Sequence, residues 1–187
     1  SLMKFIKIIL IIFISINTSV KADSKKNLIQ NLKDGGKLIF IRHAYAPGGG
    51  DPENFDINDC ATQRNLNESG RIQSKKIGYF FRENQIKIKK IYSSEWCRCK
   101  ETASIAFGTF ETKNFLNSFF SLNFAHNKKR QIIDFKKFLT NWDKKTNLIF
   151  VTHYVVITEI LGYPPSSGEI VISNENLKIV DTLEIEY

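Results

Sequence analysis

Three short segments of strand character, separated by amphipathic stretches, constrain the fold of this chain more than any other feature of its sequence. Lys37–Ile41 and Asn147–Thr152 have the length and apolar composition of buried strands, and Ile88–Tyr92 between them is predicted as a further strand. Two further segments of strand character, Glu169–Ser173 and Leu177–Glu184, follow near the end. Strands that alternate with helices predict an α/β fold: a three-layer sandwich with a mostly parallel central sheet and helices on both faces.

The helical segments between these strands have identifiable boundaries. Asn67 is a suitable N-cap for a helix from Glu68 to about Glu83. The apolar face predicted for this helix comprises Ile72, Ile77, Phe80 and Phe81. Ser93 and Ser94 can cap a second helix that runs toward Phe107. Two more helices are predicted over Lys129–Trp142 and Val155–Leu161, and long loops over 44–66 and 114–127.

Basic and imidazole side chains lie where the predicted strands end. The first strand is followed by Arg42 and His43, the helix after the second strand carries Arg98, and the third strand leads into His153. Ligands of an open α/β sheet bind at the carboxyl ends of its strands, so we expect these four residues to converge. Guanidinium groups and a helix N-terminus suit the oxygens of a phosphoryl group, and a neutral imidazole can attack phosphorus.

Four ordered motifs resemble those of the histidine phosphatase superfamily, which includes cofactor-dependent phosphoglycerate mutase and phosphohistidine phosphatases. Phe40-Ile41-Arg42-His43-Ala44 is similar to its Arg-His-Gly signature. The other matches are Arg64-Asn65-Leu66-Asn67-Glu68-Ser69-Gly70-Arg71-Ile72-Gln73, the pair Tyr92-Ser93-Ser94 and Arg98-Cys99-Lys100-Glu101-Thr102-Ala103, and Val151-Thr152-His153. The resemblance implies a phosphoglycerate mutase-like fold.

The resemblance also implies a mechanism. His43 would be the residue that is phosphorylated in a covalent intermediate, and Arg42, Arg98 and His153 would bind the phosphoryl oxygens. Water would then hydrolyse the phosphohistidine, with no metal ion or organic cofactor. The protein would thus be a phosphoric monoester hydrolase of the histidine acid phosphatase type.

The sequence departs from the family pattern at several positions. Ala44 replaces the usual glycine, and Tyr154 stands where the acid phosphatase branch has its proton-donating aspartate. The region 119–129 holds no carboxylate where mutases place a glutamate. The general acid is therefore open, and the candidates are Asp51, Glu53, Glu111 and His126.

Shorter segments in the two long loops resemble a small exported bacterial branch of the superfamily. These segments are Ala46-Pro47-Gly48, Gly50-Asp51-Pro52, Asp59-Cys60, 62–66, Trp96-Cys97-Arg98-Cys99 and 116–120. One exported relative acts on a lipopolysaccharide sugar phosphate, so the substrate is expected to be a phosphorylated small molecule or an envelope phosphoester. We interpret Arg64 as an anchor of the first loop to the sheet, Gly48-Gly49-Gly50 as a flexible rim, and Phe119-Phe120 as core or substrate mouth.

The first 22 residues have the pattern of an export signal. Ser1 and Leu2 precede Met3 and are interpreted as an expression scar, and basic residues then precede an apolar run over 8–16. The segment ends in Val20-Lys21-Ala22, which predicts cleavage after Ala22 and a single domain over 23–187 in the periplasm or outside the cell. The alternative is an uncleaved N-terminal anchor, although nine apolar residues are too few to span a bilayer.

Export places the three cysteines in an oxidising compartment. We expect one disulfide, from Cys60 to either Cys97 or Cys99, and one free thiol. Three reduced, buried cysteines are the alternative. A zinc site is disfavoured because the spacing does not supply four ligands.

The chain carries a formal charge of +8, and about +5 remains after residues 1–22 are removed. A basic surface suits phosphorylated or acidic substrates, whereas no basic stripe interleaved with aromatic residues argues for nucleic acid. After cleavage no stable membrane insertion is expected, and the oligomeric state is not predicted. The alternatives to a phosphatase are a non-catalytic protein that binds a phosphorylated ligand on the same fold, and a phosphoglycerate mutase-type phosphotransferase.

Overall fold

The computed structural model describes residues 23–187, and the predicted scar and signal peptide at 1–22 lie outside them. The strands are β1 Leu38–Arg42, β2 Lys90–Ser93, β3 Glu111–Thr112, β4 Leu148–Thr152, β5 Ile170–Ser173 and β6 Ile179–Leu183. The helices are α1 (23–33), α2 Glu68–Glu83, α3 Cys97–Phe107, α4 Leu122–Ala125, α5 Lys128–Leu139 and α6 Tyr154–Leu161. None of the helices in this part of the chain is long and apolar enough to cross a membrane.

The six strands form one mixed sheet in the order β3-β2-β4-β1-β5-β6. The first four strands of this order are parallel to one another, and β5 and β6 add antiparallel pairs at one edge. Because β1, β2 and β4 are parallel neighbours, their carboxyl ends lie at the same edge of the sheet. The predicted α/β class with a mostly parallel sheet is therefore confirmed.

Successive residues of the central strands point to opposite faces and build two cores. In β1, Ile39 and Ile41 pack against apolar side chains of α1, α2 and α3. Leu38 and Phe40 face the other side, toward α5 and α6. Helices thus cover both faces of the sheet, as predicted, and leave the carboxyl edge of the parallel strands for the site.

Two details of the predicted helices are wrong. Ile72 is 42% exposed, because the buried face of α2 is formed by Ile77, Phe80 and Phe81 and by small or polar residues. Helix α3 begins after Trp96, without a side-chain cap, and not after a serine. Asn67 does cap α2, since its side chain accepts the N–H of Gly70 at 3.0 Å.

The two long loops contain short elements that the apolar pattern did not reveal. A 3₁₀ turn at Cys60–Thr62 lies in the first loop. The strand β3 precedes the second loop, which contains a 3₁₀ turn at Asn114–Leu116 and the one-turn helix α4. These elements are too short to show a hydrophobic period.

Candidate active site

The residues that follow the central strands lie side by side at one edge of the sheet. The N–H of His43 donates to the carbonyl of Thr152 at 2.9 Å, and the N–H of Ser94 donates to that of Val151 at 2.9 Å. His43 and His153 therefore face each other, with ring centroids 5.5 Å apart. A cavity of about 480 Å³ opens here, and its lining includes Arg42, His43, Arg98 and His153. The structure thus brings together the four residues that the sequence singled out.

Two hydrogen bonds fix the tautomer of His43. Its Nδ1 lies 2.9 Å from the carbonyl oxygen of Ala44, which can only accept, so Nδ1 carries the proton. Its Nε2 lies 3.2 Å from Nε of Arg98, which can only donate, so Nε2 bears a lone pair. The neutral ring is therefore oriented with its basic nitrogen toward the guanidinium group.

The backbone after His43 is fastened to two helices. The N–H of Ala44 donates to the hydroxyl of Thr102 at 3.0 Å, and the N–H of Tyr45 donates to the amide oxygen of Gln73 at 2.8 Å. Ala44 does not have a positive φ, which explains why a residue with a side chain is accepted where the family has glycine. These contacts hold the carbonyl that binds Nδ1 of His43.

Burial and positive charge keep both histidines neutral. Burial lowers the pKa of His43 well below 6.5, and the charge of Arg98 lowers it further. Burial and Arg98 act in the same way on the pKa of His153. Both side chains are almost inaccessible to solvent. A neutral imidazole is the form that can act as a nucleophile.

His153 is held by the serine that follows β2. Nε2 of His153 lies 2.8 Å from the hydroxyl of Ser94, which also accepts the N–H of Trp96 at 3.2 Å. The thiol of Cys99 lies 3.5 Å from the same nitrogen. Burial raises the pKa of this thiol to about 12, so it stays protonated. Ser94 thus orients the second histidine, where the sequence had suggested a helix cap.

Arg42 lines the cavity and has one buried donor without a partner among the described residues. Its Nη1 donates to the carbonyl of Pro165 at 2.9 Å, and its guanidinium carbon lies 5.4 Å from the ring centroid of Tyr154. Its Nε is buried and has no hydrogen-bond partner within residues 23–187. A buried guanidinium N–H without a partner is costly, which is typical of a group that awaits a ligand.

Arg98 is bound by an aspartate from the first loop. Its Nη1 donates to Oδ1 of Asp51 at 2.7 Å, and its Nη2 donates to Oδ2 at 3.2 Å. Burial by itself would raise the pKa of Asp51, but the hydrogen bonds and charge of Arg98, with a hydrogen bond from Trp96, hold it below its usual value. Asp51 is therefore a carboxylate at neutral pH and cannot serve as a proton donor.

The other three candidates for the general acid do not line the cavity. Glu53 and His126 are exposed. Glu111 is at the edge strand β3, where it forms an ion pair with Lys90 at 2.8 Å. Asp51 is the only carboxylate among the described residues that line the cavity.

A third arginine contributes to the site. Arg64 lines the cavity and donates to the carbonyls of Gly50 and Ala46, at 2.9 and 2.6 Å. Arg64 therefore joins two parts of the first loop to each other. The prediction that it anchors this loop to the sheet is wrong. Arg64 is the first residue of the second family motif, and cationic side chains are expected to cluster around an anion. These two facts together could have placed it at the cavity.

The rim of the cavity is formed by the two long loops. Gly48, Gly49 and Gly50 line one side. Phe120 lines the other and is 68% exposed, whereas Phe119 is buried in the fold. Of the predicted pair, Phe120 therefore lies at the mouth of the cavity and Phe119 belongs to the core.

A disulfide links Cys60 to Cys97, and Cys99 is free and buried. Of the two predicted pairings of Cys60, the one with Cys97 is therefore confirmed, and the one with Cys99 is wrong. The bond joins the first loop to the first turn of α3, directly before Arg98. No group of three or more histidine, cysteine or acidic side chains within residues 23–187 is arranged to hold a metal ion.

Comparison with known proteins agrees with this geometry. The sequence model of the histidine phosphatase superfamily (branch 1) matches residues 38–116, whereas no curated protein matches the sequence. The protein TTHB049 from Thermus thermophilus has a similar structure, with a TM-score of 0.56 and 14% identity, covering 80% of this chain and 99% of its own.

Two further solved structures share the fold. The protein histidine phosphatase SixA, in complex with tungstate, gives a TM-score of 0.53 at 14% identity over 80% of this chain and 96% of its own. Phosphoglycerate mutase from Thermus thermophilus gives 0.52 at 13% identity over 80% and 99%. The motif order, the sheet topology and the match over residues 38–116 agree that this chain resembles the histidine phosphatase superfamily (branch 1).

Proposed function

We propose that this protein is a phosphatase that hydrolyses phosphate monoesters through a phosphohistidine on Nε2 of His43. The observation that carries the proposal is the fixed tautomer of His43, whose Nε2 bears the lone pair and accepts the Nε–H of Arg98, both residues lining the cavity. The match of residues 38–116 to the superfamily model and the arginine-lined cavity support it.

The proposed reaction has two steps. Nε2 of His43 attacks phosphorus, a P–N bond forms, and the P–O bond to the leaving group breaks with its electron pair on the leaving oxygen. A water molecule then attacks the same phosphorus, the P–N bond breaks, and its electron pair returns to Nε2. One proton of that water ends on the leaving alcohol, and the other stays on orthophosphate.

The cationic side chains would stabilise both steps. Phosphoryl transfer proceeds through an anionic transition state, and positioned guanidinium groups stabilise such charge strongly in a cavity of low polarity. Arg98 lies beside the nucleophile, and Arg42 offers a buried N–H without a partner in the described chain. His153, held by Ser94, completes the set of phosphoryl ligands that the motifs imply.

The state of Asp51 narrows the substrate class. With its carboxylate ionised and bound to Arg98, the cavity supplies no carboxylic acid from residues 23–187 to protonate a leaving alkoxide. We infer that the favoured substrates have leaving groups that need no proton from the enzyme, such as aryl phosphates, or phosphoramidates of imidazole, whose ring takes up a proton from water before the P–N bond breaks. Phosphohistidine is a phosphoramidate, and a protein histidine phosphatase is among the proteins of similar structure.

Export is a further part of the proposal. The pattern of residues 3–22 and the Cys60–Cys97 disulfide both suit a periplasmic or secreted protein cleaved after Ala22. Sequencing the N-terminus of the protein recovered from the cell envelope or medium tests this: Asp23 is the expected first residue, and an intact leader would contradict cleavage.

Turnover assays test the activity. The protein of residues 23–187 is assayed with an aryl phosphate, an alkyl phosphate and a phosphoramidate in the presence of a chelator. We expect activity without metal, faster with aryl than with alkyl phosphate, and reduced to background by His43→Ala. His126→Ala is the matched control, since that histidine is exposed and outside the cavity.

The same assays separate the alternative functions. Tight binding of orthophosphate without turnover of any substrate would favour a binding protein. Transfer of the phosphoryl group to an added alcohol in preference to water would favour a mutase-type phosphotransferase.

A further inference from the structure

Each carboxylate oxygen of Asp51 accepts two hydrogen bonds from residues of the site. Oδ1 accepts from Nη1 of Arg98 at 2.7 Å and from the N–H of Arg64 at 3.0 Å. Oδ2 accepts from Nη2 of Arg98 at 3.2 Å and from Nε1 of Trp96 at 3.0 Å. Four donors on two oxygens fix the position of this carboxylate.

Arg98 is equally constrained. A guanidinium group has five N–H bonds in a planar fork. Nη1 also donates to the carbonyl of Arg64 at 3.2 Å, and Nε donates to Nε2 of His43, so four of the five bonds have defined directions. The fifth, on Nη2, points the same way as Nε–H because the group is planar. Asp51 thus binds the two terminal nitrogens of the guanidinium group. The side edge of that group, formed by Nε and Nη2, is directed at His43.

We propose that Asp51 is a positioning residue that holds Arg98 so that the Nε and Nη2 edge faces the phosphoryl group on His43. This inference rests on the proposed phosphatase function. Arginine has high rotamer freedom, and a guanidinium free to turn would present this edge only part of the time. The side chain of Arg98 is 3% exposed and that of Asp51 18%, so the pair is shielded from water.

The placement of Asp51 follows from the loop that carries it. Gly48 and Gly50 have positive φ values of 89° and 69°, which glycine adopts without strain, and they turn the chain over the cavity. Arg64 ties the same turn through the carbonyl of Gly50, and the Cys60–Cys97 disulfide joins the loop to the helix of Arg98. The loop and the helix therefore carry the two partners as one unit.

The opposite hypothesis is that Asp51 occupies the place of the substrate. An aspartate that competed with the phosphoryl group for Arg98 would have to leave before binding, and its removal would lower KM and raise kcat/KM. A positioning residue stays in place, so its removal lowers kcat and weakens the transition state more than the ground state. The two roles predict changes of opposite sign.

Steady-state kinetics of Asp51→Asn with an aryl phosphate tests the inference. We expect kcat to fall by about 100-fold, as for a misplaced catalytic group. Affinity for orthovanadate, which mimics the five-coordinate transition state, should fall by a similar factor, whereas affinity for orthophosphate should stay near that of wild type. Glu53→Gln, on the same loop but exposed and away from the cavity, is the matched control and should behave as wild type.

A double-mutant cycle adds a second readout. Arg98→Lys keeps the charge but removes the fork, so adding Asp51→Asn to it should change kcat by less than about threefold. Undiminished kcat in Asp51→Asn, or a rise in kcat/KM, would overturn the inference. Circular dichroism checks the fold, and Asp51→Ser, with room for water, replaces Asp51→Asn if that variant does not fold.

The two proposals fail in different ways. Wild-type protein without turnover would overturn the phosphatase function and this inference with it. Active wild type with an equally active Asp51→Asn would overturn only the role of Asp51.

Discussion

Nε2 of His43 lies 3.2 Å from Nε of Arg98, and both side chains are almost completely buried. The bond aligns the lone pair of a neutral imidazole with a permanent cation, and this cation keeps the nitrogen unprotonated. The same guanidinium group lies where it can bind the oxygens of a phosphoryl group that reaches His43. The proposed chemistry depends on this pairing.

The protonation of His43 can be observed directly. Because burial and Arg98 lower its pKa well below 6.5, nitrogen NMR should show a neutral ring at pH 6.5, protonated on Nδ1. The acid limb of kcat for an aryl phosphate should accordingly lie below pH 6.5. A ring that titrates at or above 6.5, or that carries its proton on Nε2, would contradict the assigned geometry.

Stability should depend on pH through the same two histidines. Their pKa values are lower in the folded protein than in the unfolded chain, so the unfolded state binds more protons below pH 6.5. The stabilisation is present above this pH and is lost as the pH falls toward the folded-state pKa values. We expect the free energy of unfolding in urea to decrease by up to about 1.4 kcal/mol per pH unit for each histidine.

A variant isolates the contribution of one ring to this pH dependence. His153→Gln should show a shallower slope below pH 6.5 than wild type. An unchanged slope in His153→Gln would count against a neutral, buried His153.

The close contact of Gly70 with the loop after His43 gives a packing prediction. A Cβ at position 70 would overlap the carbonyl of Tyr45, so Gly70→Ala must displace that backbone. We expect a loss of about 1–3 kcal/mol in unfolding free energy and a lower kcat. Gly49→Ala is the control, since its Cβ would meet no atom within 4 Å. Equal activity of the two variants would show that the position of Tyr45 is unimportant.

The disulfide should support both stability and activity. Cys60 and Cys97 are 37 residues apart, and closing a loop of this length contributes about 4 kcal/mol in the chain-entropy treatment. We expect the Cys60→Ser/Cys97→Ser variant to lose stability of this order and to have a reduced kcat, because the loop that carries Asp51 is no longer tied to the helix of Arg98. Reductant should affect wild type and not the variant, and full activity in the variant would rule out the coupling.

The sequence predicted the sheet and the cluster at its edge because both follow from local rules. Short apolar runs specify buried strands, and the carboxyl ends of parallel neighbours must meet, so His43 and His153 could be placed together without coordinates. The cap at Asn67 was equally local, since a side chain and an N–H three residues on are enough to define it.

The features that could not be predicted depend on contacts distant in sequence. Asp51 and Arg98 are 47 residues apart and meet through an irregular loop whose path is set by glycines and a disulfide, not by a hydrophobic period. The exposure of Ile72 could not be predicted for the same reason. Helical spacing identifies the apolar face of α2, but not which residues at the border of that face are covered by the sheet. The choice between Cys97 and Cys99 required the direction of each side chain at the start of α3.

Trapping the covalent intermediate tests the central claim most directly. The protein is mixed with an excess of an aryl phosphate, quenched in alkali, which preserves phosphohistidine, and mapped by peptide mass spectrometry, with phosphorus NMR to identify the nitrogen. We expect a phosphoryl group on Nε2 of His43 in wild type and in His126→Ala, and none in His43→Ala. Turnover by wild type without any phosphoryl group on residue 43, or with the group on Nδ1, would contradict the mechanism.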